Sequence, residues 1–387
     1  MPRWLYSLLI LAVIAPIISI THMFGGASQE TAIFAFSILS LIPLAALIGN
    51  STENLSYYVG SVAGGLLNAT FGNAPEIIIG LFALQQGLIT VVKASITGSI
   101  ISNALLVLGG SLAFGGWRWG KQYFSNRDAG RFSAMMVMSI AGLLIPYTGS
   151  IIIKDQVRIE NISIGISIIL LVTYVLYLAT TVFHVREDRR NPIRDKGRLT
   201  KPLRAEPEAE ENGEKEVEAI TGGVPPKEIG EIKPPTLWLT LLVLLVATLG
   251  TAWNSELLVD TITPVAKNLG WSTVFIGLVI IPIIGNAAEH SSALLVAYKD
   301  HVDLSMAIAA GSSIQVATFV APVLVLASLF FPQHLDLIFH PIEMALLGLA
   351  TILFTFTTMD GESTWLEGVQ LIAVYIMACV VFFFWPG

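Results

Sequence analysis

The chain is a succession of apolar stretches, each about as long as a helix needs to cross a bilayer, separated by short polar turns. A hydrocarbon core of roughly 30 Å takes about 20 helical residues to span. Stretches of that kind fall near residues 4–20, 30–49, 60–84, 89–114, 131–148, 160–183, 236–258, 272–297, 303–331, 336–357 and 364–385. In lipid the backbone finds no water to bond, so runs of this length must close their hydrogen bonds internally, as helices. With 54% hydrophobic and 13% charged residues, the chain has too little polar surface for a soluble domain. The expected fold is an all-α membrane protein of about 11 transmembrane helices.

The first stretch lacks a small-x-small cleavage site, so it is expected to remain as a leading helix rather than leave as a secretory signal. The lone Cys379 excludes an internal disulfide and a multi-thiolate metal site, and leaves hard-metal or proton chemistry open. Eleven spans put alternate loops on alternate sides. Seventeen Lys and Arg residues then fall on the side of Met1 and four (Lys93, Lys154, Arg158 and Lys267) on the other. Without the long central loop the bias is six to four. Basic residues accumulate on the cytoplasmic side, so the N-terminus and central loop are expected there and the C-terminus opposite. The net charge of −7 says little by itself, and nothing in the charge pattern suggests nucleic acid.

The central loop is the one clearly polar region. Arg186 to Arg204 holds eight basic and three acidic residues, a block suited to anionic lipid head groups. Ala205 to Lys233 holds nine acids against three bases, and reads either as a solvated linker or as a short acidic helix that senses a cation. Removing this loop leaves a leading helix and two sets of five. Because five is odd, the second set enters the membrane from the opposite side, so the repeats are inverted. The expected organisation is a leading helix at 1–25, a first five-helix repeat at 26–185, the cytoplasmic loop at 186–234 and a second repeat at 235–387.

The sequence supports the duplication directly. Gly72-Asn73-Ala74-Pro75-Glu76 and Gly285-Asn286-Ala287-Ala288-Glu289-His290 superpose under a shift of 213 positions, which also carries Gly98-Ser99 onto Gly311-Ser312. Across 72–103 and 285–316, nine of thirty-two positions are identical, against roughly three expected by chance. In inverted-repeat transporters the substrate site lies at the midplane between the halves, on helices broken by Gly, Pro or unwound turns. Gly72 and Pro75, and Pro282 and Gly285, are such breaks beside each glutamate.

An ionised carboxylate at the bilayer centre costs about 2.5–3.5 kcal/mol on insertion scales, so an intramembrane acid is a functional hypothesis by default. Glu76 and Glu289, brought face to face, would offer a charge of −2 and up to four oxygens. One divalent cation neutralises that charge, and hard oxygens select Ca²⁺ or a similar ion with roughly six to eight ligands. The remaining ligands are expected from carbonyls freed at Gly72-Asn73, Gly98, Gly285-Asn286 and Gly311, from Ser99 and Ser312, and from water. Two protons would neutralise the same pair, since like charges in a dry site oppose each other's ionisation. If only a neutral site crosses the occluded state cheaply, cation and protons compete for it, and exchange follows.

Each element has a plainer reading. Gly and Ser in membrane helices often serve only close packing, and His290 is either a titratable group beside Glu289 or a hydrogen-bonded core histidine. Gln315 and Asn103 stand between helix-helix bonding and lining the site. Glu53 and Glu256 lie near span ends, as solvated interfacial acids or as a second acidic station on the ion path. Glu343, His340 and Glu367 are polar groups in apolar surroundings for which the sequence supplies no partner.

The two Gly-Asn motifs, with Gly64-Gly65-Leu66-Leu67-Asn68-Ala69-Thr70-Phe71 before the first, resemble the paired signature repeats of the cation/proton exchanger (CAX) family of calcium/proton antiporters. Gly311-Ser312-Ser313-Ile314-Gln315, the segment Asp360 to Gly368 and the acidic loop between two five-helix halves carry the same resemblance, which covers nearly the whole chain after the first helix. It implies Ca²⁺ export from the cytosol, or sequestration, driven by a proton gradient. Glu76 and Glu289 would be the cation ligands, Ca²⁺ the transported substrate and H⁺ the counter-ion, with no cofactor. The membrane would be the cell membrane in a prokaryote or a vacuole-like organelle in a eukaryote; self-association is left open. Pro75 departs from the family pattern, where a small or β-branched residue is common. Other function classes find less support. The chain has no H-E-x-x-H, G-x-S-x-G, intramembrane G-x-G-D or P-loop, which argues against a membrane enzyme or ATP-driven pump. A channel is a third class, and a sodium/calcium exchanger is the nearest rival.

Overall fold

The computed structural model describes residues 8–59, 67, 70–182 and 235–385. The basic block and acidic stretch of the central loop therefore lie outside the described residues. The described chain is almost entirely helical, in the order α1 (Leu11–Thr21), α2 (Gly26–Val59), α3 (Ala74–Gln85), α4 (Ile89–Trp119), α5 (Asn126–Ile152), α6 (Gln156–Val182), α7 (Leu237–Leu269), α8 (Thr273–Gly285), α9 (Ala287–Tyr298), α10 (Val302–Ser328), α11 (Pro341–Thr357) and α12 (Trp365–Phe383). Among the described residues, seven helices are long and apolar enough to cross a membrane, or eight if the bent pair α8 and α9 counts as one span. Helices α1, α3 and α11 are shorter apolar ones.

Burial divides the helices into a centre and a rim. The apolar windows of α4 and α10 are 83% and 89% buried, whereas those of α5, α6, α7 and α12 are 28% buried. On α7 the side chains of Leu239, Leu242, Leu245 and Leu249 are all exposed. A continuous exposed apolar surface of this kind faces lipid. Two expected windows are short of the observed helices: α2 has 34 residues and α7 has 33, so Glu53, outside its expected window, stands within α2, and Glu256, expected near a span end, stands well inside α7. Hydropathy misses these extensions because polar residues such as Asn50, Asp260 and Lys267 dilute the window while still fitting a helix.

Both central helices contain a π-helical turn, at Ser102–Val107 in α4 and Val316–Val320 in α10. The shift of 213 maps 102–107 onto 315–320, so the two irregularities occupy equivalent positions. Such turns cluster at functional sites because the extra residue redirects side chains. Helix α8 carries a third, at Ile276–Ile280.

Close approach of α4 and α8 is set by Gly98, where a Cβ would run into the backbone of Leu278. Gly109 and Gly368 serve the α4–α12 crossing: a Cβ on Gly109 would stand 2.8 Å from the Gly368 carbonyl oxygen. Small residues at such crossings let backbones pack without hydrophobic help from water.

The loops gather at two ends. At one, the strand β1 (Gln122–Tyr123) pairs antiparallel with β2 (Glu362–Ser363), Lys121 bridges to Glu362 at 2.5 Å, and the Ser125 amide donates to Asp303 Oδ1 at 2.8 Å. At the other, Lys93 Nζ donates to Asp336 Oδ1 at 2.6 Å and to the Ile338 carbonyl at 2.7 Å. Glu343 and Glu367, which the sequence leaves without partners, have them: each carboxylate accepts from the backbone N–H that precedes its own helix, His340 at 2.9 Å and Thr364 at 2.7 Å. Glu343 also accepts from Thr97 Oγ1 at 3.1 Å. These acids sit in the first turns of α11 and α12, where a carboxylate satisfies an orphan donor and meets the positive end of the helix dipole. His340 packs edge-on against Trp385, with ring centroids 4.3 Å apart.

Candidate functional site

The duplicated motifs lie where two helices begin. Helix α3 starts directly after Asn73 and α9 directly after Asn286, and the two asparagines have nearly the same backbone, φ −93° and ψ 13° against φ −96° and ψ 12°. Helices α8 and α9 meet at 57° across that asparagine. Pro75 leaves this geometry unaltered, because it occupies the first turn of α3, where no intrahelical N–H is required. Glu76 and Glu289 therefore both fall in first turns.

The two carboxylates reach across to each other's motif. Glu289 Oε1 lies 3.9 Å from where a Cβ on Gly72 would stand, and Glu76 Oε1 lies 3.9 Å from where one on Gly285 would stand. Each carboxylate thus stands against the glycine that opens the other's motif. Glu76 is buried and Glu289 partly exposed. Glu76 Oε2 and Glu289 Oε2 are buried oxygens without a hydrogen-bond partner. Two acceptor oxygens of this kind, on acids that face each other, suit a cation or protons and nothing apolar.

A set of polar bonds around the pair joins one half of the chain to the other. Asn73 Nδ2 donates to Gln315 Oε1 at 2.7 Å, Asn286 Nδ2 to Ser99 Oγ at 3.2 Å, and Asn103 Nδ2 to Ser312 Oγ at 2.9 Å. Ser313 Oγ donates to the Ile100 carbonyl at 3.4 Å. Residues 100 and 313 are equivalent under the shift. Ser312 is bonded to Glu289 and accepts from Asn103 Nδ2, and Asn103 Oδ1 lies 3.1 Å from His290 Nε2. His290 is thus held through Asn103 and Ser312 to its neighbour in sequence, with no direct side-chain contact required.

Some expected ligands do other work. The carbonyls of Asn73, Asn286 and Gly98 accept from the amides of Ile77, His290 and Ser102, so they are not freed by the breaks. Gly98 serves the α4–α8 crossing, and Gly311 is buried within α10. Among the described residues no three His, Cys, Asp or Glu side chains gather as a metal cluster, so Glu53, partly exposed on α2, and Glu256, exposed on α7, do not join the pair. Sequence reasoning missed Ser95, which with Glu76 and Ser99 lines a cavity otherwise walled by apolar side chains of α3, α4 and α10. Its spacing of four residues before Ser99, one helical turn, was the available signal.

Asn103 is the link between His290 and Ser312. Asn103→Ala would leave His290 without its buried partner, while Ser312 keeps its bond to Glu289, at about 1–3 kcal/mol for the orphaned histidine nitrogen. Thermal unfolding in detergent is expected to show a clear loss of stability, and an unchanged midpoint would remove Asn103 from the network.

Residues 29–183 and 239–384 match the family model described as sodium/calcium exchanger protein. The chain belongs to that family. It is 39% identical to the "Ca(2+)/H(+) antiporter" of Synechocystis over 98% of this chain and 97% of the relative. To the "Ca(2+)/H(+) antiporter ChaA" of Bacillus subtilis it is also 39% identical, over 91% and 92%. Among solved structures it resembles native YfkE, with a TM-score of 0.77 and 34% identity, covering 98% of this chain and 100% of that one. The sodium-calcium exchanger NCX_Mj shares the exchanger fold at a TM-score of 0.52 and 17% identity, over 92% of this chain and 99% of that one.

Proposed function

We propose that this protein is a secondary antiporter that exchanges Ca²⁺ for protons through a site formed by Glu76 and Glu289. The observation that carries the reading is the reciprocal placement of the two carboxylates, each with a buried oxygen that has no partner. Relatives named as Ca²⁺/H⁺ antiporters at 39% identity support the choice of ions. The reading includes 11 spans, one leading helix and two inverted five-helix repeats. The matched π turns, the matched asparagine backbones and the contact between residues 100 and 313 support it.

The mechanism follows from charge. One Ca²⁺ or two protons cancel the dianion, and the neutral site passes between the two faces by alternating access; the empty dianion does not, since a bare charge at midplane is costly. Glu76 and Glu289 bind cation or protons. Ser99 and Ser312 orient the carboxylates and supply neutral oxygens. Asn73, Asn286, Asn103, Gln315 and His290 hold the two halves in register around them. On this reading the N-terminus and central loop are cytoplasmic and the C-terminus lies on the opposite side.

The test is calcium uptake into sealed proteoliposomes under an imposed pH gradient, with and without a sodium gradient. Uptake that follows the proton gradient alone is expected. Uptake that requires sodium would favour the sodium/calcium reading, and flux indifferent to both gradients would favour a channel.

The acidic stretch of the loop lies outside both halves and has no counterpart in them. Deleting residues 205–220 is expected to leave proton-driven uptake measurable, with an altered dependence on Ca²⁺. Complete loss of transport in a folded, inserted deletion protein would place the loop in the ion path.

A further inference from the structure

The shift that relates the halves also exposes a difference between them. The cavity beside Glu76 is walled in part by Val92 and Leu324. Their equivalents under the shift are Ser305 and Ser111. Both serines are 0% exposed, and neither hydroxyl has a hydrogen-bond partner among the described residues. Where the first half is lined by hydrocarbon, the second carries two orphaned hydroxyls.

Helix geometry aligns them with the site. Ser305 stands seven residues before Ser312, about two turns, on the same face of α10. Ser111 stands eight residues after Asn103, and because a π turn takes up about one extra residue, eight residues complete two turns and return Ser111 to the face of Asn103. Helix α9 closes over this place: Leu294, one turn beyond His290, reaches to 2.9 Å from where a Cβ on Gly110 would stand. One turn further along α4, Gln122 covers Gly115, and its Oε1 is a third buried oxygen without a partner. The Gln122 amide nitrogen donates to Asp300 Oδ1 at 3.4 Å, and Asp300 is at the surface.

We propose that Ser111, Ser305 and the Gln122 carbonyl oxygen line a file of water that carries protons between the Asp300 face and the Glu289 site. Buried polar atoms left unpaired are costly and ordered water relieves them where two or more polar partners converge. Along such a file each hydroxyl accepts a proton on a lone pair and releases its own to the next oxygen, so no group is left changed after a passage. Ser312, bonded to Glu289, is the last hydroxyl before the carboxylate. The apolar equivalents Val92 and Leu324 give Glu76 no such file on its side. The inference rests on the exchanger reading for what moves along the file, and not for its hydration.

Hydration is therefore tested first, in the full chain with Cys379→Ala as background. Ser111→Cys, Ser305→Cys and two buried apolar positions of the same helices away from the Glu76 cavity, Leu105→Cys and Val325→Cys, are treated with silver ion, and modification is followed by mass spectrometry. The serine positions are expected to react at least about tenfold faster than the two apolar ones, since thiol reactivity requires access. Equal rates at all four, or unreactive serine positions, would overturn the proposal. This result holds whether or not the protein moves calcium. In proteoliposomes, Ser111→Ala with Ser305→Ala is then expected to slow proton-driven uptake about tenfold at saturating Ca²⁺ with KM unchanged. A wild-type rate with equal or higher thermal stability would assign both hydroxyls to dry packing and sink the idea.

Discussion

Glutamine at either Glu76 or Glu289 is expected to abolish calcium/proton exchange while leaving the protein folded. The amide keeps the volume and removes one of the two charges that cancel a divalent cation. A Ca²⁺ ion held by the remaining carboxylate would carry a net positive charge through the membrane. At about 2.5–3.5 kcal/mol for a central charge, that alone slows the loaded transition by roughly a hundredfold or more. The proton half of the cycle fails as well, since one carboxyl cannot return two protons. Both variants should therefore be inactive, because each carboxylate stands equally close to the glycine of the other's motif. Radioactive calcium uptake, with elution profile and thermal unfolding as controls for folding, provides the check. Near wild-type uptake by either variant would remove that glutamate from the site.

The second large effect is expected from a single methyl group. Gly98→Ala would drive a Cβ into the backbone of Leu278, which has no rotamer with which to yield. Overpacking of a tight core typically costs 1–3 kcal/mol, and against backbone the loss should be about 3 kcal/mol or more. Helices α4 and α8 would be pushed apart where Asn286 reaches Ser99, so loss of folded yield and of transport should coincide. Gly165→Ala, on an exposed face with nothing within 4 Å, is the matched control and is expected to fold normally. Equal yield and melting behaviour for the two variants would show that α4 and α8 do not cross as closely as described.

Much of this protein was legible in its sequence, for reasons that are local or repetitive. A bilayer satisfies no backbone groups, so the apolar runs had to be helices, and among the described residues seven of them, or eight with the bent pair, are long enough to cross. The duplication could be read because a shift of 213 superposes Glu76 on Glu289 without a gap. Breaks at Asn73 and Asn286 could be anticipated from the glycines and prolines beside them.

What the tertiary structure alone decided concerns partners far apart in sequence. Glu343 and Glu367 look like stray membrane acids until the chain direction before α11 and α12 shows them bonding the amides of His340 and Thr364. The carbonyls of Gly98, Asn73 and Asn286 look free until the helices are seen to use them. Asn103 and Gln315 are not equivalent under the shift, yet both stand in the cross-half network. Sequence by itself determined the apolar helices, the duplication and the two acids, since each depends on composition or periodicity along one segment. Which atoms of the two halves meet depends on π turns and glycine crossings, whose effect is a rotation or a close approach between helices, and no single segment contains that information.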